Sequence, residues 1–571
     1  MFVKKSKDKN TGRIYLTLAR SYRDPITKKT RAETVESYGW MDELQKLYPD
    51  PYTHFQAVAK EKNKSEELQR RELTFTLDPN KKIIMGVNRK NFGYGIISKV
   101  YHELGIDTFL NNRQRYIRAE YSLNAIMKML VYSRLLAPAS KKKTHEERGR
   151  YFDTMDFSLD DVYRSLTQFN KYKDDLQLWI HEHIRANHER DTSIIFYDVT
   201  NYYFEIDEQD ELRRKGVSKE HRPDPIVQMG LFMDNDGLPI AYHLFPGNCN
   251  DCLTLLPLMK IIRAKYALGK AVVVADRGMN TNKNAYYLAN SRGGYIFSQT
   301  VRGGSDELKS YILKSSGYKE LEGTKGFKKK SRQFTRIIKF KDDDGTEINA
   351  QIAEKQLVFY SPDYDKREKA LRAPAIEKAR DLIKNPGKYK RHNSYGAAKY
   401  VIELQYDKKT GEILTPAEML RFDEEKLMEE EQYDGYYLIV TSRHYESDEW
   451  MLAHYKGLWQ IEETFKVTKS DLEARPVHVS LEEYINSHFL VCFIALVIIK
   501  LIHRKLGRIF SPETIIENLS NACCTHLEEN WYVFDHRNEA LDAIGDAFVI
   551  DFSKKYMTHM DIRKALGSTK K

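Results

Sequence analysis

The order of short apolar strands along the chain is the feature that most limits its fold. Three β-branched or aromatic runs come first, and a short Asp-Asn-Asp-Gly turn between the second and third predicts an antiparallel hairpin. Two more strands then alternate with helical segments. The five runs are SIIFYDV (193–199), IVQMGLFM (226–233), LPIAYHLF (238–245), AVVVA (271–275) and GYIFSQ (294–299). The order predicts an α/β fold with a mixed sheet, since a doubly wound fold alternates strand and helix from the start.

The segments around these strands have other patterns. Apolar residues recur every three or four positions over about 95–185, which predicts helices. Residues 301–435 mix basic strands, a charged helix and an acidic stretch, and we interpret them as an insertion. A strand at 436–441 and a helix over roughly 448–471 follow. Three antiparallel strands followed by helix–strand–helix–strand is the layout of a ribonuclease H-like sheet.

Basic residues are concentrated in two segments of a chain whose formal net charge is +10. Residues 1–33 hold ten Lys or Arg against three acids, and residues 324–341 hold eight against none. Such clusters suit a polyanion, because each neutralised phosphate releases condensed counterions. A solvated surface is the alternative for either cluster. Residues 13–40 alternate around a DPITKKT turn, which predicts a basic β-hairpin. Basic residues in and before this hairpin that could contact a polyanion include Lys4, Lys5, Arg13, Arg20, Arg23, Lys28 and Lys29.

Two acids follow apolar strand sequences. Asp198 ends the run in FYDVTNYYF, and Asp276 ends the run in VVVADRGMN. Neighbouring strand ends can bring two carboxylates together, and their repulsion would leave one protonated unless a cation lies between them. Ligands that are all oxygen favour Mg²⁺ or Mn²⁺. The alternative is that each Asp simply caps the turn after its strand.

A third acid lies within the predicted helix over 448–471. Tyr455, Glu462 and Lys469 are seven residues apart, so all three fall on one helix face. A carboxylate between a phenol and an ammonium could bind a metal while its neighbours contact phosphates. The alternative is an ordinary solvated Glu–Lys face.

The stretch YKGLWQIEETFKVTK resembles the signature of the IS-four-type DDE transposases, in which Tyr, Arg, Glu and Lys recur at fixed spacing. Tyr455, Glu462 and Lys469 match this register, whereas Leu458 occupies the Arg position. Further similar blocks are DVTNYYF, GVSKEHRPDP, PGNCND and ADRGMNTNKN. The basic hairpin and SRLLAPASKKKT resemble the subgroup with long N-terminal extensions.

The resemblance implies a DNA transposase that performs metal-dependent cleavage and strand transfer at insertion-sequence ends. Asp198, Asp276 and Glu462 would be catalytic and would bind two Mg²⁺ or Mn²⁺ ions. The partners would be terminal inverted repeats and target DNA, with a homodimer in the synaptic complex. The residues expected to contact DNA are Tyr455, Lys469, Lys466, Lys328, Lys329, Lys330 and Arg332. Two alternatives stay open: a ribonuclease H-like nuclease without strand transfer, and a catalytically inactive DNA-binding derivative.

The expected architecture combines a ribonuclease H-like catalytic domain, a β-containing insertion before the catalytic helix, and a mainly helical N-terminal domain with a basic β-hairpin. Five cysteines suit a reducing compartment, and the longest apolar run is too short to span a bilayer. These features predict an intracellular protein without a membrane partner, and the resemblance further implies that it is bacterial, cytoplasmic and nucleoid-associated. The expected segments are the hairpin and linker (1–80), a helical DNA-binding domain (81–190), the catalytic domain (191–300 and 436–510), the insertion (301–435) and a C-terminal helical region (511–571).

Overall fold

The computed structural model describes residues 1–8, 11–23, 30–68, 80, 82, 86, 88–220, 222–321, 325–527 and 530–570. The chain divides into two compact units, residues 1–83 and residues 84–571. Each unit has its own apolar core, and each is described separately below.

The first unit is a three-stranded antiparallel sheet with two helices. The predicted hairpin is confirmed, because two of its strands pair from Tyr15–Trp40 to Arg23–Thr30. The sequence pattern had not indicated the strand that precedes them. Residues 24–29 of the turn, including Lys28 and Lys29, lie outside the described residues. The elements are β1 (Phe2–Lys7), β2 (Ile14–Arg23), β3 (Thr30–Trp40), α1 (Met41–Leu44) and α2 (Pro51–Leu68).

The second unit begins with a short strand and a group of helices, as the 3.6-residue periodicity predicted. Their apolar residues join the same core as one face of the large sheet described next, so these helices form no separate core among the described residues. The elements are β4 (Arg89–Asn91), α3 (Tyr94–Glu103), α4 (Ile106–Gln114), α5 (Leu123–Leu136), α6 (Lys141–Glu146), α7 (Leu159–Lys171) and α8 (Lys173–Asn187).

All five of the strands predicted between residues 193 and 299 are present and belong to one mixed sheet. The first three pair antiparallel, and the first, fourth and fifth pair parallel. Gly237 has a positive φ of 78° in the predicted hairpin turn, a conformation that glycine adopts without strain. The elements are β5 (Ile194–Tyr203), β6 (Ile226–Asp234), β7 (Pro239–Pro246), α9 (Leu255–Lys265), β8 (Val272–Ala275), α10 (Asn282–Ala289) and β9 (Tyr295–Gln299).

The segment interpreted as an insertion is only partly separate from this sheet. Its two long strands extend the sheet, whereas residues around Leu382, Tyr400 and Leu420 form a small core of their own. The elements are α11 (Asp306–Leu313), β10 (Lys319–Glu320), β11 (Lys328–Lys341), β12 (Glu347–Tyr360), α12 (Pro362–Lys384), β13 (Val401–Ile402), β14 (Arg421–Phe422) and α13 (Glu424–Glu431).

The predicted strand at 436–441 is confirmed as β15 (Tyr436–Thr441), and it joins the insertion strands to β9. Within the described residues the sheet has nine strands in the order β10-β11-β12-β15-β9-β8-β5-β6-β7. The helix predicted over 448–471 is instead two helices, α14 (Asp448–Lys456) and α15 (Trp459–Lys469). Hydrogen bonds to the third preceding residue, such as that from Leu458 to Tyr455, replace the α-helical pattern at the junction.

The remainder of the chain contains the most apolar helix, α16 (Glu482–Lys505). Its length and composition would suffice to cross a membrane, but 94% of its most apolar window is buried inside the protein, as expected of a core helix. The predicted C-terminal helical region also contains strands, the first of which pairs with β4. The elements are α17 (Pro512–Asn521), β16 (Cys523–His526), β17 (Trp531–Phe534), α18 (Glu539–Phe548), β18 (Tyr556–Thr558) and α19 (His559–Ser568).

Side chains of the central strands alternate between two cores, as the two-residue period of a strand requires. In β5, Ile194 and Phe196 pack in the core that contains α16, whereas Ile195 and Tyr197 pack in the core that contains α9. By this alternation Asp198 belongs to the face of the sheet that α15 and α16 cover.

Candidate active site

Asp198 and Asp276 are brought together by the register of two parallel strands. Tyr197 of β5 is the partner of Ala275 at the end of β8, so the next residue on each strand is an aspartate. The expectation that Asp198 ends its strand is wrong, because β5 continues to Tyr203 in pairing with β6. Because β8 ends at Ala275, no residue of β8 pairs with Asp198, and the edge of β5 is open on that side. The carboxylate of Asp198 therefore has that of Asp276 as its neighbour.

The local backbone fixes both aspartates. Asp276 caps a short 3₁₀ turn and accepts a hydrogen bond from the backbone N–H of Gly278 at 2.9 Å. Asp198 accepts one from the N–H of Val199 at 2.7 Å. Burial raises the pKa of Asp198 to about 7, opposed by the charge of Lys219 and reinforced by that of Asp276. The capping role proposed as the alternative therefore applies to Asp276, but it does not account for the buried carboxylate beside it.

Two further charged residues lie close to this pair. Asp251 follows β7, and burial raises its pKa, with Lys219 opposing and Asp276 reinforcing the shift. Lys219, in the loop before β6, donates to the backbone carbonyl of Val199. Both belong to sequence blocks that carry the family resemblance, PGNCND and GVSKEHRPDP, yet neither was selected as a site residue. The sequence feature that could have indicated Asp251 and Lys219 is a charged residue in a non-helical segment between two strands.

The segment from α14 to α15 crosses directly over β5. A Cβ built on Gly457 would stand 2.5 Å from Cζ of Phe196, so only glycine allows the helix to approach this closely. Phe196 is two residues before Asp198 and on the same face of the strand. Ile461 and Phe465 are buried, which anchors α15 to the core. Glu462, next to Ile461, is exposed.

The residues on either side of Glu462 lie near the aspartates. The Tyr455 hydroxyl is 2.7 Å from that of Tyr437, and burial raises the pKa of Tyr455, with the charge of Asp276 contributing. Lys469 donates to Glu220 at 3.2 Å. Burial lowers the pKa of Lys469 to about 8, with Lys219 reinforcing and Asp198 opposing the shift.

Leu458 and Lys466 have different surroundings. Leu458, at the position where the family signature has Arg, is buried in the apolar core beneath α15. Lys466, considered as a substitute for that Arg, is exposed. Its charge acts on Asp471, where it opposes the rise in pKa that burial causes. The structure therefore favours the solvated alternative for Lys466.

The first cations of the basic strand β11, which were expected to contact DNA, have partners within the protein. Lys329 is buried and pairs with Glu449, and Lys330 is buried and donates to the backbone carbonyl of Lys314 at 2.7 Å. Lys328 lies over the rings of Tyr318, Tyr360 and Tyr436, at 4.9–5.7 Å from their centroids. Arg332 donates to Glu307 and Gln356, both at 2.9 Å. Sequence cannot separate these lysines from surface lysines, because tertiary contacts decide which ammonium groups are enclosed.

The site chemistry suits a hard divalent cation. Among the described residues, no three acidic, His or Cys side chains lie close enough together to form a ready-made metal site. Asp198 and Asp276 nevertheless supply adjacent oxygen donors. Burial, with the charge of Asp276 adding to it, raises the pKa of Asp198, and a cation between the two carboxylates would relieve both effects. The residues present therefore fit a divalent ion.

Two family models of transposases match the chain. Residues 193–498 match the family model for the transposase DDE domain, and residues 3–72 match that for the IS1634 family transposase N-terminal domain. Among curated proteins no significant match was found. A solved structure, the cryo-EM structure of the piggyBac transposase synaptic complex with hairpin DNA, is similar at a TM-score of 0.34 and 7% identity, covering 89% of this chain and 80% of that chain. That likeness is too distant to define the fold. The first match spans more than half of the 571 residues and includes Asp198, Asp276 and Glu462, so the chain belongs to the DDE transposase family: it is an insertion-sequence DNA transposase that depends on divalent metal.

Proposed function

We propose that the chain performs cut-and-paste transposition, with Asp198, Asp276 and Glu462 holding two Mg²⁺ or Mn²⁺ ions. The observation that carries the proposal is the parallel pairing of Tyr197 with Ala275, which makes Asp198 and Asp276 neighbours on adjacent strands. The charges of Asp276 and Asp198 reach Tyr455 and Lys469, respectively. Each of these two residues is seven positions from Glu462 in the sequence, Lys469 on the same helix α15 and Tyr455 on the preceding helix α14.

The bound ions would activate water or a 3′ hydroxyl and stabilise the leaving 3′ oxygen. The chain's own residues orient the DNA strand. Lys469 is held by Glu220 close to Asp198, where its ammonium can contact a phosphate next to the cleaved bond. Tyr455, held by Tyr437, can donate a hydrogen bond from its hydroxyl to another phosphate.

Several finer assignments support one another. The order β7-β6-β5-β8-β9, with three antiparallel strands followed by two parallel ones, supports a ribonuclease H-like fold for the catalytic domain. The Tyr455, Glu462 and Lys469 signature supports a relationship to the IS-four-type group. We further propose that the protein recognises terminal inverted repeats, acts as a homodimer in the synaptic complex, and works in the bacterial cytoplasm. Light scattering of the protein mixed with end DNA would detect the dimer.

The decisive experiment compares Glu462→Gln with Glu463→Gln in cleavage of DNA carrying the element's ends. Glu463 is the matched control, because it lies on the same helix and pairs instead with Lys500 at 3.4 Å. Glu462→Gln should lose more cleavage than the ~10–100-fold typical of outer-shell changes, and it should still bind DNA. Asp198→Asn and Asp276→Asn should behave in the same way.

Mg²⁺ or Mn²⁺ should support cleavage and excess EDTA should abolish it, because the carboxylates alone supply no nucleophile. Near-normal cleavage by Glu462→Gln would remove this residue from the site. Cleavage of ends without joining of pre-cleaved ends to target DNA would indicate the nuclease alternative. DNA binding without any cleavage would indicate an inactive derivative.

A further inference from the structure

A cavity of about 110 Å³ lies between α6, the start of α16 and the loop that follows α15. Side chains of basic residue types line much of it: Arg134, Lys141, Arg475, His478 and His488. We name this cavity the basic pocket. One water takes up roughly 30 Å³ in the liquid, so the basic pocket has room for a small anion or several waters.

Two of these cations are buried without a carboxylate partner. Arg134 and Lys141 are each 6% exposed, and within the described residues no ion pair joins either of them to an acid. Arg134 donates to the backbone carbonyls of Leu472 and Glu473, both at 3.1 Å, and its Nε has no hydrogen-bond partner. A buried charge without a counter-charge is costly, so such residues usually serve a ligand or a partner.

Lys141 has few polar contacts for a buried ammonium. Its Nζ lies 3.5 Å from Nδ1 of His488, whose Nε2 donates to the backbone carbonyl of Ala474 at 3.1 Å. An ammonium has three protons, so most of its hydrogen-bonding capacity is left for another acceptor. Burial lowers the pKa of Lys141 to about 7, and Arg134 reinforces the shift. Glu473 also lines the basic pocket, but this residue is exposed, and it is its backbone carbonyl that accepts the hydrogen bond from Arg134.

The pKa of His488 also indicates that the electrostatic potential in the basic pocket is positive. Burial lowers the pKa of His488, and the neighbouring charges that reinforce the shift come from Lys141, Arg134 and His478. The basic pocket therefore combines donors, positive potential and enclosure, the properties that bind a phosphate or a similar oxyanion.

The basic pocket is connected to the active site through a short chain of ion pairs. Arg475 lines the basic pocket and contacts the carboxylate of Glu220. The same carboxylate accepts from Lys469 at 3.2 Å, and Lys469 lies close enough to Asp198 to be influenced by its charge. A DNA strand whose phosphate contacts Lys469 could place a neighbouring phosphate near Arg475.

We propose that the basic pocket binds one phosphate group of the DNA backbone beside the active site, with Lys141 and Arg134 at its base and Arg475 at its rim. Free inorganic phosphate has the same chemistry, and the choice of DNA rests on the proposed function. Because a phosphate contact reads no base, we expect this binding to be independent of DNA sequence.

The test uses the full-length protein in EDTA, so that the metal site plays no part. Thermal unfolding is followed with inorganic phosphate against chloride at equal ionic strength, and fluorescence anisotropy measures binding of a 20-base-pair duplex of arbitrary sequence. Lys141→Met is compared with Lys142→Met, which removes an exposed lysine from the same helix. Lys141→Met should fold, since it removes a buried unpaired charge. Arg475→Gln, at the rim, provides a second variant.

Phosphate should stabilise the wild type and Lys142→Met but not Lys141→Met. Duplex binding by Lys141→Met should be about ten- to a hundredfold weaker, and the slope of log affinity against log salt should fall by about 0.9. Equal losses in both lysine variants would reflect general surface charge and overturn the pocket. Loss of phosphate binding with unchanged duplex affinity would overturn the DNA assignment. A Glu462→Gln variant with normal cleavage would count only against the proposed metal site, because the phosphate and duplex binding measurements are made without metal.

Discussion

The close approach of Gly457 to Phe196 gives the sharpest test of how the fold positions the proposed active site. In Gly457→Ala the new Cβ would stand 2.5 Å from Cζ and 3.0 Å from Cε1 of Phe196. Carbon atoms prefer separations of about 3.5–4.0 Å, so α15 or the buried ring must move by about 1 Å. Overpacking of this kind costs about 1–3 kcal/mol, and the better helix propensity of alanine returns about 1 kcal/mol.

The effect on cleavage should exceed the effect on stability. A displacement of about 1 Å at a catalytic group can cost roughly a hundredfold in rate, and α15 carries Glu462 and Lys469. Urea unfolding and cleavage of end DNA would be measured on the same preparations. Gly567→Ala is the control, because Gly567 lies in α19 with nothing within 4 Å of a built Cβ, and it should only stabilise. Phe196→Leu combined with Gly457→Ala should restore part of the cleavage by shortening the ring. A Gly457→Ala protein that is more stable and fully active would refute the reasoning.

Three other predictions concern separate parts of the molecule. Arg190 and Asp234 form a fully buried ion pair at 3.0 Å, so Arg190→Met should lower the free energy of unfolding by about 3–5 kcal/mol in urea titrations. Adding Asp234→Asn should recover much of this loss, and losses that simply add in the double variant would contradict the pairing. Lys469→Met should slow end cleavage about ten- to a hundredfold, because it removes a charge-assisted contact near Asp198, whereas Lys466→Met should cleave almost normally; equal losses would restore Lys466 to the site. Residues 1–83 form a separate unit with a basic hairpin, and their removal should abolish the sequence-specific retardation of end DNA in gels. Circular dichroism should show that the second unit is still folded, and unchanged specificity would place recognition elsewhere.

Local sequence patterns were sufficient for most of the secondary structure. Strands β5 to β9 and β15 follow directly from β-branched runs and turn residues, because side-chain alternation and turn chemistry are local properties. The DDE transposase family that the domain match shows was predicted from the resemblance of whole sequence blocks, such as YKGLWQIEETFKVTK and ADRGMNTNKN, to known members.

Other features depended on contacts between distant segments. The sequence placed Asp198 at a strand end, whereas it is the end of β8, 77 residues later in the chain at Ala275, that leaves Asp198 open. The junction between α14 and α15 arises where Gly457 meets Phe196, and helical periodicity cannot register such a contact. The sequence likewise gave no reason to separate the buried Lys329 from an exposed neighbour.

The sequence by itself determined where most of the strands and helices lie, because this depends on residues that are neighbours in the chain. Tertiary structure alone decided which charges lie together. It placed Asp251 and Lys219 beside Asp198 and Asp276, enclosed Lys329 and Lys330, and gathered Arg134 and Lys141 in the basic pocket. The physical reason is that burial and neighbouring charge set the energy of an ionised group, and both are supplied by segments far away in the sequence.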